Sequence, residues 1–271
     1  TFCSLPPQTA PSRSSSSTSS ADTKESDTST SDTTKGDSSG SSGSDDGNND
    51  GNDDGNKPTK TPTANIGVLL IDDNRTAAEG ESSEADLYLQ TLIGTGHSVD
   101  LWSAKSQGSP TADDLAKYTW VIWSNAAYAD GKLSIDDMDL VFGYVRQGGR
   151  LTLSSRYPLP GIEAASPLRD VVIGDMGALA KGLPDEPITL SEEQDAANLS
   201  PLAADTSGVE IALRRGPASD DAEAPVLVVL TDAAESDSNA RFMIVGMSLT
   251  GLAEETSSTL INNMATWMMA E

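Results

Sequence analysis

The run Ile66-Gly67-Val68-Leu69-Leu70-Ile71 is apolar without alternation and breaks into Asp72-Asp73-Asn74. A strand exposed on one face alternates apolar and polar residues. A continuous run of this length predicts a parallel strand covered on both faces. Working outward from it, the composition changes sharply on the N-terminal side. Residues 1–64 are dominated by Ser, Thr, Asp, Gly and Asn, with Phe2 and Leu5 as their only large apolar side chains. Such a segment buries too little apolar surface to offset the entropy of ordering, so a disordered tether is expected. Its Gly/Ser content predicts flexibility and its excess of Asp predicts swelling.

On the C-terminal side the pattern alternates. Helix follows at Ser83–Ile93, strand at Ser98–Trp102, a short helix at Thr111–Lys117 and strand at Thr119–Trp123. Ser134–Gln147 reads as the clearest helix: Ser134 caps it, Asp136 and Asp137 fill its first turn, and Gly148-Gly149 end it. Arg150–Ser154 is the next strand. Beyond Ser155 the prolines Pro158, Pro160, Pro167, Pro184 and Pro187 interrupt regular structure, leaving short strands at Asp170–Ile173 and Val209–Leu213. Strands Val226–Thr231 and Arg241–Met247 flank a short polar link at Ala234–Asn239 and read as an antiparallel hairpin, before a final helix at Thr256–Met269. The expected fold is an α/β domain over residues 65–271. Its sheet is doubly wound and mostly parallel, with helices on both faces and a crevice at the strand C-termini.

Charge narrows the functional classes. The chain of 271 residues carries a formal charge of −25, from 42 acidic and 17 basic residues. Residues 1–64 hold 10 and 5 of these, which leaves 32 against 12, or −20, on residues 65–271. Nucleic acid and anionic membranes are repelled by such a surface, so no nucleic-acid partner is expected. The acidic run Asp45–Asp54 lacks the terminal Glu and flanking helices of an EF-hand loop, and neither a metal nor a cofactor is expected. No stretch approaches the ~18 apolar residues of a membrane-spanning helix.

Several stretches, taken together, resemble a known family. They are Ile66–Asn74, Tyr88–Leu92, Gly96-His97-Ser98-Val99-Asp100-Leu101-Trp102, Leu115–Trp123, Leu133–Ser154 and Arg241–Leu249, followed by a helix carrying Trp267. Their order and spacing resemble the class I glutamine-amidotransferase-like, flavodoxin-like module of secreted and cell-surface bacterial proteins. The resemblance implies a Cys nucleophile after the fourth strand, supported by His and Glu. At that position the sequence reads Ser154-Ser155-Arg156-Tyr157-Pro158. The one cysteine, Cys3, is in the tether, and the one histidine, His97, precedes the second strand. A Cys–His dyad is therefore excluded by inventory. Cys3, followed by Ser-Leu-Pro-Pro and a long polar tether, also resembles a bacterial lipoprotein. Lipidation at Cys3 would give the chain's one membrane attachment; the alternative is an incidental thiol.

The candidate ligand residues are those placed at the strand C-termini: Asp72, Asp73, Trp123, Ser124, Asn125, Ser154, Ser155 and Tyr157, with Tyr128 nearby. Asp72 and Asp73 suit either metal holding or the capping of loop amides. A phosphorelay receiver also begins with an Asp pair. Such a domain needs an Asp where Trp123-Ser124-Asn125 stand, and a Lys where Thr231-Asp232 stand. Trp123 beside Ser124, Asn125, Tyr128 and Tyr157 suits a carbohydrate, although ordinary core and edge packing is the favoured reading. Trp120 and Trp123, three apart on one strand, should face opposite sides. Arg214-Arg215 forms a lone cationic spot, suited to a carboxylate or simply solvated. The expectation is a non-catalytic binding or scaffolding module at the cell envelope, extracellular or surface-attached, whose partner is an envelope protein or glycan. The alternative is a hydrolase using Ser155, or a metal at Asp72/Asp73.

Overall fold

The computed structural model describes residues 67–73, 83–125, 133–159, 162, 166–205, 208–231 and 240–270. The tether with Cys3, Tyr128 and the 234–239 link lie outside the described residues.

Strand β1 (Val68–Asp72) leads into helix α1 (Glu84–Gly94), then β2 (Val99–Ser103). Two single-turn helices, α2 (Ala104–Gln107) and α3 (Ala112–Leu115), precede β3 (Trp120–Ser124). Helix α4 (Ile135–Arg146) and β4 (Arg150–Ser154) follow. β1 pairs in parallel with β2 and β3, and β3 with β4. The chain then builds β5 (Ser166–Ile173), α5 (Gly177–Ala180), β6 (Ile188–Ala196), α6 (Ser200–Asp205), β7 (Val209–Arg215) and β8 (Pro225–Leu230). β9 (Arg241–Val245) returns to the sheet, and a 3-10 turn at Leu249–Gly251 leads to α7 (Glu254–Met269).

The nine strands form one sheet in the order β2-β1-β3-β4-β9-β8-β7-β5-β6. Here the expectation of a mostly parallel sheet is corrected: the sheet is mixed. β9 is parallel to β4 and antiparallel to β8, and every pairing beyond it is antiparallel. The parallel half, β2-β1-β3-β4-β9, keeps the 2-1-3-4-5 order of flavodoxin-like folds, with its switch point between β1 and β3. The predicted hairpin is present as β8–β9.

β6 is the strand that the proline-rich stretch concealed. Only Ile188, Leu190 and Ala196 of it are buried, and it forms the sheet's outer edge. Exposed Glu192 and Glu193 give that edge charge, which discourages pairing with another chain.

Strand alternation feeds two cores. On one face Val68, Leu70, Trp120 and Ile122 meet Ala85, Tyr88 and Leu92 of α1 and Leu260, Ile261 and Met264 of α7. On the other, Leu69, Ile71, Val121, Trp123, Leu151 and Leu153 meet Leu115 of α3 and Val141, Tyr144 and Val145 of α4. Helices thus cover both faces, and Trp120 and Trp123 lie on opposite sides. Each buried aliphatic contributes about 1.5–3 kcal/mol relative to exposure. Gly67 lets β1 start against β2: its φ is +66°, and a Cβ there would sit 2.2 Å from the Ser98 carbonyl oxygen. No described helix is long and apolar enough to cross a membrane.

Candidate functional site

Two polar rows close the carboxyl edge of the parallel half. In the first, Asp72, Ser124 and Ser154 stand in register across β1, β3 and β4. They share the sheet face of Val68, Leu70, Trp120 and Ile122, the face that α1 covers.

Helix α1 begins beside this row. Ser83 caps it, its hydroxyl accepting from the Asp86 N–H, and Asp86 accepts from the Ser83 N–H in a capping box. The cap fixes Glu84 as the first helical residue, one turn before Tyr88 on the buried stripe. Glu84 is 1% exposed. Its Oε2 accepts from Ser124 Oγ at 2.9 Å and from Ser154 Oγ at 2.8 Å, and its Oε1 accepts from the Leu249 N–H at 2.6 Å. One carboxylate therefore ties α1 to the ends of β3 and β4 and to the turn after β9. Burial pushes its pKa above the ordinary value. The bonds from Leu249, Ser154 and Ser124 and the charge of Arg156 oppose that rise without cancelling it.

The Tyr88 hydroxyl, fully buried in the same region, has its pKa raised well above the ordinary value, first by burial and then by the Glu84 charge. It has no hydrogen-bond partner among the described residues. The Ser154 hydroxyl is near enough to favour its ionised form slightly, but it donates to Glu84.

The second row is one residue further on: Asp73, Asn125 and Ser155. Backbone bonds from Asp73 N to Ser124 O, Asn125 N to Ser154 O and Ser155 N to Val245 O carry the ladder past the strand ends. All three side chains are buried. Asp73 Oδ2 accepts from Trp123 Nε1 at 2.9 Å. Trp123 is wholly enclosed in the α4-side core, so it acts as a wall and hydrogen-bond donor and offers no open ring face. Ser155 Oγ accepts from the Tyr157 N–H at 3.1 Å, a local turn. Asn125 differs: it is 1% exposed, and neither its Nδ2 nor its Oδ1 has a hydrogen-bond partner among the described residues.

Thus the predicted residues do gather at one edge, but divide between two faces. His97 stands apart, just before β2 begins, at the amino end of the strands. Among the described residues no group of three or more His, Cys, Asp or Glu converges as a metal site. Sequence reasoning passed over Glu84, whose acid looks like an ordinary first-turn residue. The available signal was its place four residues before Tyr88, on the buried stripe. Arg215 is corrected from a surface spot to a fully buried side chain, because it shares strand parity with buried Leu213. Its guanidinium donates to the carbonyls of Ser166, Pro167, Ala196 and Asp220. Arg214 instead reaches Asp175 at 2.9 Å.

No family model and no curated protein matches the chain. Solved structures do share its fold. A ThuA-like protein from Bacteroides uniformis ATCC 8492 superposes with a TM-score of 0.53 at 15% identity, covering 79% of this chain and 96% of that one. The mmIFT52 N-terminal domain gives 0.52 at 9% identity, covering 75% and 97%. The chain therefore shares the fold of a ThuA-like protein. At these identities the likeness is one of fold.

Proposed function

We propose that residues 65–271 form a non-catalytic binding module, presented on the acidic tether at a bacterial cell surface and attached there through lipid on Cys3. The observation that supports it best is the chemistry after β4. At the position where the fold would display a thiol, Ser155 is buried with its oxygen turned to the Tyr157 amide, and the lone imidazole is at the other end of the strands. The buried carboxylate that could have served as a base is held by three donors and closed to solvent. A ligand or partner is held at the edge without being transformed. An envelope protein or glycan is the partner class that suits the location.

Purified full-length chain assayed with glutamine and with p-nitrophenyl esters is expected to show no turnover above the buffer rate. Turnover abolished by Ser155→Ala would overturn the reading.

A second reading has one observation in its favour. Ser154 Oγ lies 2.8 Å from Glu84 Oε2, the arrangement of a hydroxyl nucleophile and a carboxylate base. Esterase activity lost in both Ser154→Ala and Glu84→Gln, with the fold retained, would establish it in place of the first.

A further inference from the structure

Buried amides are almost always paired, because an unsatisfied donor or acceptor costs the full desolvation of that group. Asn125 breaks this rule at both ends of its side chain. Either orientation of the amide leaves a donor and an acceptor unmet, so the observation does not depend on which atom is nitrogen. Its position is specific as well. Asn125 is the first residue past β3, next to Asp73 of the adjoining chain end, at the β1/β3 switch point where open α/β sheets receive ligands. Two independent features, one topological and one energetic, thus mark the same spot.

We infer that Asn125 is the recognition residue of a subsite for a small uncharged ligand that offers a hydrogen-bond donor and acceptor side by side. This rests on the binding-module reading above and gives it a ligand chemistry. An anion such as a phosphate is disfavoured: Asp73 follows the neighbouring strand at the same level of the sheet, and residues 65–271 carry −20. A bare cation would engage only oxygen and leave the Asn125 N–H groups unmet. A neutral donor–acceptor pair satisfies both atoms. Two kinds of molecule carry that pair, a carboxamide and the vicinal hydroxyls of a sugar.

The test uses the full chain. Acetamide, glucose, N-acetylglucosamine and inorganic phosphate are titrated while following thermal stability and the side-chain amide resonances of Asn125, assigned by their loss in Asn125→Leu. At least one neutral probe is expected to raise Tm and move those resonances, with phosphate doing neither. Acetamide alone acting identifies an amide reader; glucose alone acting identifies a diol reader. Asn125→Leu is expected to weaken binding at least tenfold while raising the Tm of the unliganded chain by about 2–4 °C, because it removes unpaired polar atoms. Asn125→Ala repeats the binding arm without the bulk of leucine. If none of the neutral probes moves the Asn125 resonances, if phosphate alone binds, or if Asn125→Leu lowers Tm, the amide is paired in solution or serves another ligand, and the inference falls. Release of ammonia from bound acetamide would sink the non-catalytic reading while supporting this subsite.

Discussion

Among the described residues, each half of the sheet has one charged side chain at 1% exposure or less, Glu84 or Arg215, and neutral groups bind it. In the parallel half the Glu84 carboxylate collects two serine hydroxyls and a backbone N–H. In the antiparallel half the Arg215 guanidinium collects four backbone carbonyls. Glu84 gathers the carboxyl ends of strands. Arg215 gathers the start of β5, the end of β6 and the loop after β7. The difference teaches what each half must solve. A parallel edge leaves hydroxyls and N–H groups pointing the same way, which an acceptor ties together. Strand reversals leave clustered carbonyls, which a donor fork ties together. Asn125 belongs to neither tie, and for that reason it stands out.

The largest expected effect comes from removing the donor fork. Arg215→Met should destabilise the chain by about 3–5 kcal/mol, since it strands four carbonyls in a dry site, and urea titration would reveal it. A cost below about 1 kcal/mol would show that water replaces the fork and would dissolve the comparison.

Glu84→Ala should cost about 2–4 kcal/mol in the same measurement, because two hydroxyls and the Leu249 N–H lose their acceptor. Glu84→Gln keeps one oxygen for the serines but sets an N–H against the Leu249 N–H, so about 1–3 kcal/mol is expected. Equal stability of Gln and Glu at pH 7 would indicate that the carboxyl is already protonated there.

The third prediction concerns pH. The folded pKa of Glu84 lies above its ordinary value of 4.5, so the native state holds this proton more tightly than the unfolded chain. Its contribution is fully present below about 4.5 and is lost as pH rises through the folded value. The stability of the native chain relative to Glu84→Gln, followed from acid upward, should therefore fall over that window. A rise would reverse the assignment.

The smallest effect belongs to a charge outside either tie. Asp114, in the capping box of α3, is bonded by Lys117 and Thr111 and has its pKa lowered to about 2. Its contribution is present above 3.8 and is lost as pH falls toward 2. Because the Asp114 side chain is partly exposed and its Lys117 partner is 61% exposed, solvent screens the pair, and Asp114→Asn should change stability by only a few tenths of a kcal/mol at pH 7.

How far the sequence carries can be argued from particular elements. β1, β3 and β4 were legible within two residues because strands buried on both faces leave continuous apolar runs. α4 was legible from its Ser134 cap and its Gly148-Gly149 stop, and α1 and α7 were placed within two residues of their observed ends. β6 was not, since an edge strand needs only Ile188, Leu190 and Ala196 inside and looks like polar loop elsewhere. The antiparallel character of β5–β8 was hidden for a related reason: β6 was missing from the reading, and the β7–β8 link at 216–224 was not read as a turn although it is no longer than the β8–β9 link at 231–240. Asp73, Asn125 and Ser155 were picked out by their place after strands. Their division from Glu84, Ser124 and Ser154 required knowing which side chains find partners, a property of three dimensions that spacing does not encode.

The seam at β9 has a consequence for how the molecule comes into being. β4 ends at residue 154, and the strand that covers its open side begins at residue 241, so most of the head must be made before the parallel half can close. During synthesis β4 waits as a bare ladder of amides and carbonyls, and pairing across so long a gap is intrinsically slow. A chain halted before residue 241 is expected to aggregate on gel filtration, whereas one completed through α7 should elute as a folded species. Assembly of this domain is therefore governed by its last thirty residues, however early its first strand is ready.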